Sequence, residues 1–526
     1  MTGRDVPPRA VAVVDAAGAS DRDAAAIAAG IPSRALMQRA GAAAAGVLSD
    51  AFSELLPRGA LIATGPGNNG GDGWVVAHAL HAAGVDVLVA ECAQSRTPDA
   101  LAERDAAIGA GVRVAERTDA LPTAGGRLIV DALLGTGVRA GALLGGSIGD
   151  AVAQLRAMRE AGACVVALDL PSGLDATSGH DAGAVRADLT ITFGTIKRGH
   201  LVARALCGRI VVVDIGLGAH AHHPGETELA SPAWFRAHLP RIAADAHKGT
   251  RGKVAIVGGA PGMAGAVMLA ARGALRSGAG LVKCLVAPES LGAVQEGEPA
   301  ALGAAWPATD DAMRAALAGW ADVVLVGPGL GAAHARALME RVLAAFDGPV
   351  VLDADALNAF AGHAHALCPL IGHRAALLTP HPAEFARLAG IDVAEVLARR
   401  FELPARMSRD TGAAVLLKGV PTVVASVAGE MRCVAEGTPL LATGGVGDIL
   451  GGIAATLLAQ TGDAALSGAL AAFAHGRAAH AVSARQVRGF TLNDMLAELP
   501  GVWSLPVPAP YPPLLADLPL VGESDG

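Results

Sequence analysis

The stretch ATGPGNNGGDGWVVAHAL (residues 63–80) decides how this chain is read. Gly65, Gly67, Gly70, Gly71 and Gly73 leave the backbone almost bare ahead of an apolar run that opens at Trp74. Glycine tolerates positive φ and lets amide groups come close to an anion. A helix starting near Trp74 would add its N-terminal dipole. Gly65, Gly67 and Gly70 fit GxGxxG, and Glu91 ends the next strand-like run where an acidic residue could hold a ribose; a dinucleotide-dependent oxidoreductase is therefore one reading. The tail Gly71–Asp72–Gly73 falls outside that pattern. Far downstream, ATGGVGDILGGIAATLL (residues 442–458) repeats the arrangement: glycines, one aspartate, an apolar helix.

Outward from these two loops the chain alternates short apolar runs with helix-like stretches. In the first half ALIATG, VDVLVAE, RLIVDALLG, CVVALDLPSG, LTITFGT and RIVVVDIG are β-branched and apolar on both sides, as buried parallel strands are. In the second half GKVAIVGG, GLVKCLVAP, DVVLVGPGLG, PVVLDADALN, ALLTPHPAEF and AVLLKGVPTVVAS restart the rhythm. Each run ends in a polar or glycine cluster, and the carboxyl edge of an open α/β sheet is where ligands bind. The expected architecture is α/β in two domains: a Rossmann-like sandwich over residues 1–218 and a second α/β domain over 236–502. Residues 219–235 read as a linker and 503–526 as a proline-rich, extended or poorly ordered tail. His220, His222 and His223 in the linker share no carboxylate or cysteine at metal-ligand spacing and read as solvated.

Composition limits the rest. The chain is 52% hydrophobic and 17% charged, with a formal net charge of −8 and no basic run, which argues against a nucleic-acid partner. Its six cysteines form no CxxC pair, as expected of reduced thiols in the cytoplasm. No apolar leader and no membrane-length apolar run stand out. Glycine-rich α/β enzymes of this size often self-associate, so a homo-oligomer is expected.

The neighbours of the first loop narrow its meaning. LMQRAG (36–41) precedes it; VDALLGTG (130–137), LDLPSGLDATSG (168–179), ADLTITFGTIKRG (187–199) and VVVDIG (211–216) follow. Asn69, Asp131 and Ser172 offer hard oxygen ligands from three strand ends, which suits an alkali cation better than a transition metal. In this order the motifs resemble the YjeF N-terminal family of NAD(P)H-hydrate epimerases across nearly all of residues 10–218. The resemblance implies K+ on those three residues. It also implies that Asn68, Asn69, Gly70, Gly71 and Asp72, with Gly135, Thr136, Gly137, Val138, Arg139, Ala140 and Gly141, hold the pyrophosphate and ribose of hydrated NADH or NADPH. Asp169 would then face the damaged nicotinamide and relay a proton; the plainer role is to cap the following Pro-Ser-Gly turn. Lys197 either adds its charge or is solvated.

At the second loop, Gly444, Gly445 and Gly447 leave amides free at a helix N-terminus, and Asp448 stands in its first turn. That aspartate is either a helix cap or a base that takes a proton from a hydroxyl during phosphoryl transfer. No GxxxxGK[ST] is present, so a Walker-type site is excluded. HKGTRGKVAIVGG (247–259), the 262–282 segment, VGPGLG (326–331), DADALN (353–358), LTPHPAEFARL (378–388) and LLKGVPTVV (416–424) together resemble the ADP/ATP-dependent NAD(P)H-hydrate dehydratases of the ribokinase-like fold, over about residues 240–500. By position, Ala266, Gly329 and His381 would line the substrate pocket; Lys418, Gly419, Val420, Pro421, Thr422 and Gly447 would contact ADP or ATP; and Asp448 would act as base. His381 could instead only brace a turn. Asp353, Asp355 and Asn358 either meet magnesium-linked phosphates or order a strand-to-helix turn. The sequence departs from the family at Glu298–Pro299 and at Glu436–Gly437–Thr438.

Together the halves imply metabolite repair. One would equilibrate the R and S hydrates of NADH or NADPH. The other would phosphorylate the ring hydroxyl of the S hydrate and eliminate phosphate, with ADP favoured as cosubstrate and Mg2+ expected. The alternatives are a small-molecule kinase of the ribokinase-like type fused to a dinucleotide-binding module, a non-catalytic partner-binding protein, and the oxidoreductase named above.

Overall fold

The computed structural model describes residues 10–115, 128–138, 141, 144–223, 225–486, 488–504 and 514–521. The chain divides into two compact units between Glu226 and Thr227, and the stretch from Pro508 onward groups with the first.

The first unit is built on an eight-stranded sheet. From the centre outward on one side run Ala60–Thr64, Val87–Glu91 and Arg113–Val114. On the other side run Leu128–Ala132, Val165–Leu168, Leu189–Phe193, Arg209–Val213 and Leu514–Leu518. All pairings are parallel except the last, which is antiparallel. Four of these strands are buried at every position, so their sequences are largely apolar runs. The chain leaves the central strand in one direction and returns on its other side, and the crevice at that switch is the expected ligand edge.

The glycine-rich stretch sits at this switch, and it differs from expectation in two ways. The helix spans Asn68–Ala82 rather than starting near Trp74, with Gly67 as its extended N-cap. Gly65, Gly67 and Gly70 also have no positive φ. Packing is what most of these glycines serve. A Cβ on Gly65 would lie 1.8 Å from the Leu133 carbonyl oxygen, one on Gly70 2.1 Å from Gly65 O, and one on Gly73 2.6 Å from Ala132 Cβ. Bare backbone lets the helix press against the strand ends, which outweighs the poor helix propensity of glycine.

The second unit is a ten-stranded sheet in the order Thr227–Leu229, Met431–Val434, Thr422–Ala425, Ala414–Leu417, Ala376–Leu378, Val350–Leu352, Val323–Val326, Lys253–Val257, Leu281–Val286, Leu302–Ala305. Its switch point lies between Lys253–Val257 and Val323–Val326. Helices Ala264–Arg276, Val446–Thr461 and Ala464–Ser483 pack into one core on one face. AVLLKGVPTVVAS is two antiparallel strands that turn at Gly419, φ +149°.

Two segments carry more structure than their composition suggested. Within residues 219–235, Thr227–Leu229 pairs with Met431–Val434, and the helix beginning at Pro232 buries Trp234 and Phe235. Within 503–526, Leu514–Leu518 is a strand of the first sheet. His222 Nε2 lies 2.6 Å from Ala10 O, a backbone contact rather than a metal-ligand arrangement. No helix among the described residues is long and apolar enough to cross a membrane.

Candidate active sites

At the first switch point a cavity of about 620 Å³ is lined by Asn68, Asn69, Asp72, Gly135, Thr136, Gly137, Asp169 and Lys197, among others. Val138 is buried and Gly141 has φ +78°; Arg139 and Ala140 lie outside the described residues. Asn69 stands on the first helical turn, not on a strand end as expected, and both polar atoms of its side chain are buried without a hydrogen-bond partner. Asp131 is the penultimate residue of its strand. Its Oδ1 accepts from Ser172 Oγ at 2.6 Å and its Oδ2 from Ser172 N at 2.8 Å.

Asp169 is held in an unusual backbone conformation, φ +62°, that few non-glycine residues adopt. The surroundings clamp it. Asp169 N donates to Ile191 O at 2.7 Å, and Asp169 O meets His200 Nε2 at 2.7 Å. Lys197 N donates to His200 Nδ1 at 3.1 Å, which leaves the proton on Nε2 to reach Asp169 O. Burial, then the Lys197 charge, push the His200 pKa down to about 3, so the ring stays neutral. Lys197 is buried, not solvated. It pairs with Asp169 Oδ1 and reaches Thr192 Oγ1 at 2.9 Å. For Asp169, burial acts to raise the pKa, but the Lys197 charge and hydrogen bond outweigh it, and the net direction is down. Asp72, in the same cavity, is pushed well above the carboxylate range by burial and then by the Asp169 charge. Environment thus drives these two carboxylates in opposite directions, Asp169 toward its ionised form and Asp72 toward its acid form. Glu91 is engaged elsewhere: its Oε1 accepts from Arg104 Nε at 2.8 Å.

In the second unit Asp448 occupies the first turn of Val446–Thr461, whose N-cap Gly445 has φ +91°. Burial first, then the charge of Asp353, push its pKa up to about 7. A Cβ on Gly447 would sit 3.4 Å from Lys418 Nζ, so lysine, glycine and aspartate share one corner. Lys418 Nζ donates to Asp353 Oδ1 at 2.7 Å, and Thr379 Oγ1 donates to the same oxygen at 2.8 Å. Burial works against the Lys418 charge, but Asp353 and Glu384 outweigh it and its pKa is raised. Asp355 Oδ2 accepts from Gly331 N at 2.9 Å and Asn358 Oδ1 from Arg387 Nε at 3.0 Å; both therefore order the turn, while Asp353 holds the lysine.

Ala266 and Gly329 meet at the other switch-point edge, where a Cβ on Gly329, φ +56°, would lie 3.1 Å from Ala266 Cβ. His381 caps the helix Pro382–Ala389: its Nδ1 accepts from Ala383 N and Glu384 N at 3.2 and 3.3 Å. Of the other proposed nucleotide contacts, Val420 is exposed, Pro421 is buried, and Thr422 Oγ1 donates to Gly419 O at 2.9 Å. The two departures from the family pattern are structural. Glu298 pairs with Arg272 at 2.9 Å, and buried Glu436 meets His480 Nδ1 at 2.9 Å.

Sequence reasoning missed His200, Thr192, Thr379 and Glu384 as parts of these sites. His200 follows the quoted motif by one residue. Thr192 alternates with core residues on its strand, and only the pairing of that strand with Val165–Leu168 brings it to Asp169.

Comparison with known proteins follows the same division. Residues 254–501 match a family described as NAD(P)H-hydrate dehydratase, and residues 33–199 one described as YjeF-related protein N-terminus. A bifunctional NAD(P)H-hydrate repair enzyme of Moorella thermoacetica is 36% identical over 498 residues, covering 90% of this chain and 92% of its own. The enzyme of that name from Escherichia coli is 36% identical over 480 residues, covering 88% of each. A solved ADP/ATP-dependent NAD(P)H-hydrate dehydratase from Bacillus subtilis, co-crystallized with ATP/Mg2+, is 28% identical, covers 52% of this chain and 96% of its own, and has a TM-score of 0.46.

Proposed function

The chain belongs to the bifunctional NAD(P)H-hydrate repair enzymes, and from that premise we propose that Asp169 and Asp448 are the working groups of its two activities. The observation that carries the proposal is the corner where Asp448, poised near neutrality, stands beside half-buried Lys418 at a glycine-opened helix N-terminus. A base with a pKa near the working pH takes a proton efficiently. Asp448 removes the proton of the ring hydroxyl as that oxygen attacks the terminal phosphoryl group of ADP or ATP. The amides at Gly445 and Gly447 and the Lys418 ammonium hold the migrating phosphoryl. Loss of phosphate then restores the conjugated ring, and AMP is the other product when ADP is used. Among the described residues no cluster of three His, Cys, Asp or Glu is arranged as a metal cage, so magnesium enters this reading as the counter-ion of the nucleotide phosphates.

In-line transfer is stereospecific, which leaves the R hydrate to the first unit. There Asp169, whose charge Lys197 favours, relays the proton, and Asp72, driven toward its acid form by burial, supplies the complementary acid. The amides of Asn68, Asn69 and Gly70, in the first turn of the helix Asn68–Ala82, would face the pyrophosphate. The residues fit K+: Asn69 has a buried, unpartnered amide oxygen, Asp131 and Ser172 are in contact with each other, and all three are hard donors. Asn69, Asp131 and Ser172 would hold the ion, which would supply positive charge toward the pyrophosphate. A cytoplasmic, self-associating enzyme remains the expected setting.

The test is incubation of the purified protein with acid-hydrated NADH and either nucleotide, following return of reduced-nicotinamide absorbance. Asp448→Asn should abolish recovery and spare epimer interconversion measured by chromatography. Asp169→Asn should leave rapid recovery of only the S fraction. Equal loss of both activities in either variant contradicts the division of labour.

A further inference from the structure

Arg400 lies between the helices Val393–Ala398 and Leu403–Thr411, is only 9% exposed, and belongs to none of the motifs above. A buried guanidinium ordinarily meets a carboxylate, because an uncompensated charge is costly to desolvate. This one has no carboxylate partner among the described residues. Its Nη1 donates to Val420 O at 2.6 Å, and its Nε is buried with no hydrogen-bond partner. Burial pulls its pKa down.

What it adjoins is the bend at Gly419. A Cβ placed on that glycine would find Pro421 O at 3.6 Å and Arg400 Nη1 and Nη2 at 3.7 and 3.9 Å, ordinary contact distances with no clash. Gly419 therefore leaves an atom-sized opening, floored by a guanidinium, in the segment assigned above to the nucleotide. Most other buried or half-buried cations of this unit are already paired: Lys418 with Asp353, Arg272 with Glu298, Arg477 with Glu436.

We propose that Arg400 is a binding residue for the nucleotide cosubstrate, whose phosphate neutralises the guanidinium through the opening at Gly419. This rests on the reading of residues 418–422 as the nucleotide contact. It also gives that contact a chemical class: the ligand must carry an anionic group here, so nucleoside phosphates bind and the bare nucleoside does not gain from Arg400. Guanidinium suits the task because its planar fork can hold the Val420 carbonyl and a phosphate oxygen together.

The experiment is calorimetric binding of ADP, AMP and adenosine to the full-length protein and to Arg400→Gln and Arg400→Lys, with thermal unfolding of each without ligand. Loss of a charge-assisted contact should weaken ADP and AMP about tenfold or more in Arg400→Gln. Arg400→Lys should retain part of that affinity. Adenosine binding should stay as in the parent, and the ligand-free unfolding midpoint should not fall, because an uncompensated buried charge has been removed. Unchanged ADP and AMP affinity in Arg400→Gln overturns the proposal. So does a parallel loss for adenosine with a lowered midpoint, which would make Arg400 a brace for the Gly419 bend. If the parent protein itself binds none of the three while its circular dichroism shows it folded, the reading of residues 418–422 fails instead.

Discussion

Asp448 carries the most specific residue-scale consequence. Its carboxyl is pushed up to about 7 by burial and the Asp353 charge, while Lys418 pulls the other way. The reactive form is the carboxylate, so kcat/KM for dehydration should rise with pH through an acid limb near 7 and then level off. Lys418→Met removes a charge that lowers the pKa and should move that limb to higher pH. A limb that stays near the ordinary carboxylate range in both proteins would sink the assignment of Asp448 as base. The linkage to folding has the opposite sense. The folded carboxyl keeps its proton to about pH 7, whereas an unfolded one releases it near 3.8, so this group's contribution to stability is lost as pH rises across that interval. Asp448→Asn should therefore unfold at a midpoint that falls less with rising pH than the parent, measured by thermal scans between pH 5 and 8, while dehydration drops by about 10²–10⁴-fold.

Elements explain why one residue can be placed so firmly. The helix bearing Asp448 and the helix Ala264–Arg276, which bears Ala266, touch backbone to backbone. A Cβ on Gly452 would lie 1.9 Å from Ala270 O, and one on Gly273 2.4 Å from Ile449 O. Gly452→Ala should therefore cost about 2 kcal/mol or more and lower the unfolding midpoint of the second unit. Gly292→Ala, in the exposed helix Pro288–Gly297 with open space around its Cα, should stabilise by about 0.5–1 kcal/mol. Equal effects of the two substitutions would remove the close helix contact from the account. The same contrast shows what the sequence could and could not tell. Apolar runs such as ALIATG and GKVAIVGG were legible as strands because both faces are buried. The glycines were read as leaving amides bare for an anion, and the structure adds a second constraint on them, close packing. At Gly65 and Gly70 the constraint is a neighbouring carbonyl from another element, which no local pattern displays. His200 and Thr379 escaped for a related reason: each joins its site only through tertiary contacts with Asp169 and Asp353. Met431–Val434 and Leu302–Ala305 were missed because the first is an edge-side antiparallel strand and the second is half-exposed, so neither reads as a buried run.

At the scale of the molecule, the two units solve one packing problem twice. In the first, Gly65 follows the central strand and meets Leu133 O across the switch point; in the second, Gly258 follows its central strand and a Cβ there would lie 2.0 Å from Pro328 O. Among the described residues each unit also holds one non-glycine residue at positive φ in its candidate site, Asp169 in the first and Ala354, beside Asp353, in the second. The chain is not a simple string of two such units, because its last described strand, Leu514–Leu518, belongs to the first sheet after the whole of the second has been built. That strand buries Ala516 and Leu518 and pairs with Arg209–Val213, and Asp517 accepts from Arg209 Nε and Nη2 at 2.9 and 2.7 Å. The ion pair is partly exposed and contributes little, about 1 kcal/mol at most; the buried leucine and the backbone ladder contribute more, with about 1.5–3 kcal/mol from the leucine alone. Ending the chain after Ser504 should therefore lower the calorimetric midpoint of the first unit by several degrees and reduce epimerisation on warming, while nucleotide-dependent dehydration of pure S hydrate is retained. Leu518→Asp in the full-length protein should reproduce part of that loss, and Asp517→Asn very little of it. A truncated protein whose two unfolding transitions both match the parent would show that the strand is an ornament of the sheet rather than a support for it.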